Sequence, residues 1–278
     1  MHQMQLEQFI SAQITENPDN KISGAYALCD ELIGTPMYAA PLIGYADALD
    51  PLFAEIARHE KFVGLYQKPA WWLKNARTVI SIFLPFTTTV KKSNIGGATP
   101  SKLWLHSRIE GQHLINAATK SICDFLINAG QQAVAPCLDN RFISLSSPKK
   151  QTPLAAQYPH LSFTSNWSER HAAYVAGLGT FSLSKGLITK RGIAGRFTSI
   201  ITDLKITATI RDYNSIDEYC IRCGACIRKC PVQAISFEKG KEHTICADFL
   251  DKMSETFKPR YGCGKCQIAV PCESCRPM

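Results

Sequence analysis

No uninterrupted apolar run in the chain reaches the roughly 20 residues that a membrane-crossing helix needs, so no membrane segment is expected. The opening residues, Met1 to Glu7, lack the basic segment followed by an apolar stretch that marks an export signal, and the expected location is cytoplasmic. The first 219 residues contain no internal repeat and no low-complexity stretch, which points to a single α/β unit. The seven histidines show no metal-ligand spacing. Cysteine is also scarce here, with only Cys29, Cys123 and Cys137 before residue 220. No aspartate occurs between Asp139 and Asp203.

The remaining nine of the twelve cysteines fall between Cys220 and Cys275, and this segregation marks a boundary: residues 1–219 as one domain, 220–278 as another. A reducing compartment keeps thiols free, so cysteines at this density favour metal ligation over disulfides. The 278 residues, 45% of them hydrophobic, can bury a substantial core. The formal charge of +8 admits an acidic partner or tRNA. Two clusters carrying about −2 each would lower it to about +4, and the basic residues are spread rather than clustered.

Local patterns fill in the first unit. Thr78 to Leu84 is β-branched and apolar, is closed by Pro85, and is predicted as a buried strand. Leu114 to Ala129 has helical apolar spacing and Gly130 as its stop, with a strand expected at Gln132 to Ala135. Leu187 to Thr189 and Phe197 to Thr202, joined through Lys190-Arg191-Gly192, are expected to pair as strands. The polar stretch from Asn140 to Pro159 is read as a long loop, either functional or mobile. Asn166 and Glu169 have the spacing of a capping box, with Gly177 ending the helix they would start. Cys123 adjoins the apolar face of the Leu114 helix, and all three early cysteines are read as small buried hydrophobes.

The chemistry concentrates in Cys220-Ile-Arg-Cys223-Gly-Ala-Cys226-Ile-Arg-Lys-Cys230-Pro231. This spacing wraps three thiolates around one [4Fe-4S] cube while the fourth turns toward a second cube, and Pro231 stops the helix from continuing. Zinc also accepts paired Cys-x-x-Cys elements, but it does not need this four-cysteine run. Downstream lie Cys246, Cys263, Cys266, Cys272 and Cys275. In two-cluster ferredoxins the fourth cysteine of each run binds the other run's cluster. One cluster is therefore expected on Cys220, Cys223, Cys226 and Cys272, and the other on Cys246, Cys263, Cys266 and Cys230. Cys275 is left over, and Cys272 is taken in its place.

A second motif runs Asn166-Trp-Ser-Glu169-Arg170-His171-Ala-Ala-Tyr174-Val-Ala-Gly177-Leu178-Gly179-Thr-Phe-Ser182. The Glu169-Arg170 pair, the Gly177-Leu178-Gly179 turn, the strands that follow and the dicluster segment occur in this order in the epoxyqueuosine reductase family, which this chain resembles from about Pro36 onward. Ala40 to Phe53 and Ile80 to Phe86 are similar to a shorter branch of that family, which is itself related to reductive dehalogenases. The resemblance implies an α+β chain: a nitroreductase-like α/β domain holding a corrinoid (cobalamin), followed by a ferredoxin-like domain that feeds it electrons. It implies an external donor of ferredoxin or flavodoxin type, and a small-molecule substrate or a corrinoid protein as partner. Gly177, Leu178 and Gly179 would lie against the corrinoid.

Two departures qualify the carry-over. The family's proton-donating aspartate, which would fall among Phe163 to Ser168, is missing, and the C-terminal helical repeat with which the family grips tRNA is not expected. A corrinoid-dependent reductase with another substrate is one expectation; an electron-transfer or activating protein without its own substrate is the alternative, and a flavin in the first domain is a third. No catalytic residue is assigned, although Glu169, His171 and Tyr174 are titratable.

Overall fold

The computed structural model describes residues 3–150 and 152–278; Met1, His2 and Gln151, which fall within the expected first domain, lie outside the described residues. Thr78–Pro85 forms the expected strand, buried along its whole length. It pairs antiparallel with Leu42–Asp47 on one side and Gly195–Thr202 on the other, and Ala133–Val134 completes a four-stranded sheet on the far edge. Strand side chains alternate between faces, and here both faces are covered. Ile80, Ile82 and Leu84 join the core formed with Leu6, Ile10, Leu114, Ile115 and Ile122. Val79 and Phe83 join a second core with Phe53, Ala172, Ala173 and Val175. A strand buried at every position and apolar at nearly all of them is what a sheet sandwiched between two helical layers requires.

The first layer is built from the helices Gln3–Thr15 and Lys102–Asn128. The second helix starts twelve residues before the expected Leu114. Ser101 caps it by accepting from the Trp104 amide at 3.1 Å, and Leu103, Trp104, Leu105, His106, Ser107 and Gly111 are all buried. Buried polar residues broke the apolar period and hid this half. His106 Nε2 accepts from the Leu28 amide at 3.0 Å, and Gly111 lies where a Cβ would stand 2.6 Å from the Tyr38 hydroxyl. Gly130 follows the helix with φ +81°. The next strand is shorter than Gln132 to Ala135, because Pro136 opens a 3-10 turn over Pro136–Leu138.

The opposite layer holds the helix Glu169–Val175. Its cap is Ser168, not Asn166. Asn166 instead accepts from the Ile143 amide and donates to the Arg141 carbonyl, both at 2.9 Å, which positions the small strand pair Ser144–Leu145 and Thr164–Ser165. The polar stretch around these strands includes the helix Pro153–Gln157, and its Lys149 and Lys150 pair at 2.7 Å with Asp248 and Asp251. Those acids belong to the helix His243–Thr256.

The expected pairing of Leu187–Thr189 with Phe197–Thr202 is corrected. Leu187–Thr189 pairs with Gly179–Phe181, whereas Gly195–Thr202 belongs to the main sheet. The turn after Thr189 closes tightly, with the Thr189 amide donating to Gly192 O at 3.0 Å, but the chain then runs past the C-terminal segment. There the Ile193 amide donates to Cys272 O at 2.8 Å and the Ala194 amide to Glu273 O at 3.2 Å. No helix among the described residues is long and apolar enough to cross a membrane.

Candidate metal centre

Beyond the sheet, the cysteine-bearing loops turn on left-handed residues. Gly224 and Gly264, each directly after a cysteine, have φ of +69° and +70°, and Arg222 has φ +49°. Glycine takes this conformation at no steric cost. At Gly264 it is also demanded by packing, because a Cβ would fall 1.8 Å from Trp104 Cζ2. The helix Ala225–Lys229 follows Gly224 and stops at Cys230, before Pro231.

Two cavities open among these loops. One, of about 200 Å³, is lined by Cys230, Cys246, Cys263 and Cys266 together with Phe86, Trp104, Arg108 and Arg196 of the α/β unit. The other, much tighter, is lined by Cys220, Cys223, Cys226 and Cys272, with Leu183, Ile188 and Val270. Electrostatics divides the thiols the same way. Burial pushes the Cys263 thiol up to about 11, and Cys266, Cys246 and Cys230 push it in the same direction. Burial likewise pushes Cys272 up to about 12, reinforced by Cys220, Cys226 and Cys223. Thiols so crowded become thiolates only when a metal compensates the charge. The quartets adjoin, since Cys266 also acts on Cys226. Among the described residues no three metal-binding side chains converge closely enough for a single ion. Cys275 stands apart, exposed, with its Sγ 3.9 Å from Pro271 O.

Amide donors already point at two of the sulfurs: Leu183 N lies 3.4 Å from Cys220 Sγ, and Ala234 N lies 3.2 Å from Cys230 Sγ. The quartets are also pinned to the α/β unit. Asn94 Nδ2 donates to Cys263 O at 2.8 Å, and the buried Lys265 ammonium donates to Asn94 O at 2.9 Å and Gly96 O at 2.6 Å. Arg260 bridges to Glu110 at 2.6 Å.

The Gly177-Leu178-Gly179 turn has a different setting. All three residues are buried. A Cβ on Gly177 would meet Thr209 Cγ2 at 3.0 Å, and one on Gly179 would fall 1.8 Å from Ile188 O. Leu178 occupies the space that a side chain at Gly44 would need. Protein, not an open face, makes these glycines necessary.

Sequence reasoning gave Glu169 only a capping-box role, which it does not fill, since Ser168 caps the helix. Both of its carboxylate oxygens are sealed from water with no hydrogen-bond partner, as is the Tyr66 hydroxyl. Burial raises the Glu169 carboxyl above its ordinary range. His171 is pushed down to about 3, by burial first and by Arg170 and His59 after it. Its Nδ1 lies 2.8 Å from the Ser168 hydroxyl. Of the early cysteines, Cys123 is buried as expected, whereas Cys29 and Cys137 are partly buried.

Residues 215–236 match the family of 4Fe-4S binding domains. No curated protein sequence matches the chain. Among solved structures, epoxyqueuosine reductase from Bacillus subtilis is 16% identical with a TM-score of 0.48, covering 85% of this chain and 62% of that one. An epoxyqueuosine reductase with a modified tRNA-Tyr stem loop is 16% identical with a TM-score of 0.47, covering 84% and 61%. The chain thus spans about three-fifths of the length of these reductases. The catabolic reductive dehalogenase NpRdhA is 14% identical with a TM-score of 0.51, covering 99% of this chain and 37% of that one. The chain therefore has the mixed helix-and-sheet fold it shares with this dehalogenase, and its residues 215–236, which hold the four-cysteine run, match a 4Fe-4S binding domain.

Proposed function

We propose that the chain is an iron–sulfur oxidoreductase with two [4Fe-4S] clusters, one on Cys220, Cys223, Cys226 and Cys272, the other on Cys230, Cys246, Cys263 and Cys266. The observation that carries this reading is the pair of adjoining cavities, each lined by four cysteines drawn from both halves of the C-terminal segment. Each cluster takes or gives one electron at a time. The thiolates hold the iron, the amides of Leu183 and Ala234 offer hydrogen bonds to sulfur, and Trp104 and Phe86 exclude water from the larger site. An external donor of ferredoxin or flavodoxin type supplies the electrons.

Cobalamin, implied by the resemblance, supplies a cobalt that reduces organic substrates when it is bound. The Gly177-Leu178-Gly179 turn does not fit that role, since the neighbouring backbone and Thr209 already fill the space beside it. This favours the alternative in which electrons leave for a small-molecule or protein acceptor, including a corrinoid protein. Titrating iron-replete protein with cobalamin tests the choice: no spectral shift at tens of micromolar supports it. A saturable shift that Gly177→Leu abolishes, with iron content retained, overturns it.

A further inference from the structure

The two quartets differ in the charge around them. Arg108 and Arg196 line the larger cavity, Lys241 joins them, and no aspartate or glutamate lines it. No carboxylate offsets this charge: among the described residues Arg108, Arg196 and Lys241 enter no ion pair, and the nearby Glu110 is taken by Arg260 at 2.6 Å. Arg196 Nη2 donates to Gln112 Oε1, while its Nε is sealed from water without an acceptor. Burial and Arg108 together push Arg196 down to about 10. Arg108 donates to the Tyr261 hydroxyl at 2.9 Å and stacks over that ring at 4.7 Å.

Two neighbouring guanidinium groups partly withdrawn from water, with no carboxylate, are costly unless an anion faces them. A [4Fe-4S] cluster on four thiolates is such an anion, about −2 oxidised and −3 reduced. The smaller site has no cation pair on its wall, although Arg228 Nη1 donates to Cys223 O at 3.4 Å beside it. Its wall is mainly apolar, its single cation Arg222 donates to Phe237 O at 2.8 Å, and Cys223 is exposed.

We infer that Arg108 and Arg196 make the Cys230, Cys246, Cys263 and Cys266 cluster the electron sink of the pair, while the Cys223 side is the entry point at lower potential. The inference rests on the two-cluster reading. A reduced one-electron carrier of ferredoxin type gives one electron to the exposed cluster, which passes it to the inner one; no bond forms or breaks. Water exclusion penalises the added charge, but it also removes the screening between guanidinium and cluster.

The test is a redox titration of anaerobic, iron-replete protein followed by electron paramagnetic resonance. Two one-electron steps are expected, and Cys223→Ser identifies which belongs to the exposed quartet. Arg196→Gln should lower the reduction equilibrium constant of the inner cluster about tenfold, a shift of about 59 mV to more negative potential, and leave the other step in place. Arg108→Gln should act in the same direction, and Arg196→Lys should restore most of the shift. Equal movement of both steps, movement of the exposed cluster alone, or none in either variant overturns the inference. Fewer than two clusters in the unaltered protein would refute the underlying reading instead.

Discussion

Glu169 gives the sharpest stability prediction. It opens its helix, yet its carboxylate faces inward, where Cys137, Ser199 and Tyr66 stand near but none meets hydrogen-bond geometry. Burial raises its pKa above the ordinary 4.5, against an opposing pull from Cys137 and Ser199. The folded state therefore binds the proton more tightly than the unfolded chain does. Its contribution is fully present below pH 4.5 and is lost as the pH rises through the folded value. Within that window the loss is at most about 1.4 kcal/mol per pH unit. Glutamine keeps the shape and cannot ionise, so Glu169→Gln should match the parent in acid and exceed it at neutral pH. At about 2–4 °C per kcal/mol for a chain of this size, the Tm gap should widen by about 3–6 °C per pH unit inside the window. Calorimetry of both cluster-loaded proteins from pH 5 to 8 reads that gap directly. A constant gap, or a parent more stable than the variant at pH 8, would refute the buried neutral carboxyl.

Three further outcomes follow from packing and motif. Gly264→Ala combines a left-handed φ of +70° with a Cβ 1.8 Å from Trp104, so it should cost about 2–5 kcal/mol and release iron from the larger quartet, as thermal melts and iron assay will report. Glu110→Gln strips Arg260 of its carboxylate in a nearly buried pair, side chains 12% and 9% exposed, and should destabilise by about 3–5 kcal/mol in denaturant titration. With no aspartate between Asp139 and Asp203, the chain should not reduce epoxyqueuosine in tRNA; rescue of queuosine formation in cells lacking their own reductase would contradict this.

The central strand was readable because a run apolar at every position from Val79 to Leu84, apart from Ser81, has few other homes than a doubly covered sheet. The cysteine run was readable because its spacing is dictated by a cube. What stayed hidden depended on tertiary partners. The first half of the long helix is stabilised by His106 and Ser107 satisfied in the core and by Gly111 under Tyr38, none of which reads as amphipathic. Asn166 and Ser168 are equally good caps by residue type, and only the need to hold Arg141 and Ile143 decides between them. The glycines of the Gly177–Gly179 turn look alike whether they face a macrocycle or a strand; here Ile188 and Thr209 explain them. The cation-lined wall joins Arg108 and Arg196 to cysteines far along the chain, which no local pattern reports.

The most direct test of the two-cluster account is iron and acid-labile sulfide per chain in anaerobically reconstituted protein, measured alongside Cys272→Ser and Cys275→Ser. The account predicts about eight of each in the parent and in Cys275→Ser, with about four irons lost or labile in Cys272→Ser. One equivalent of zinc with little iron, or the loss of four irons on changing Cys275 instead, would contradict it.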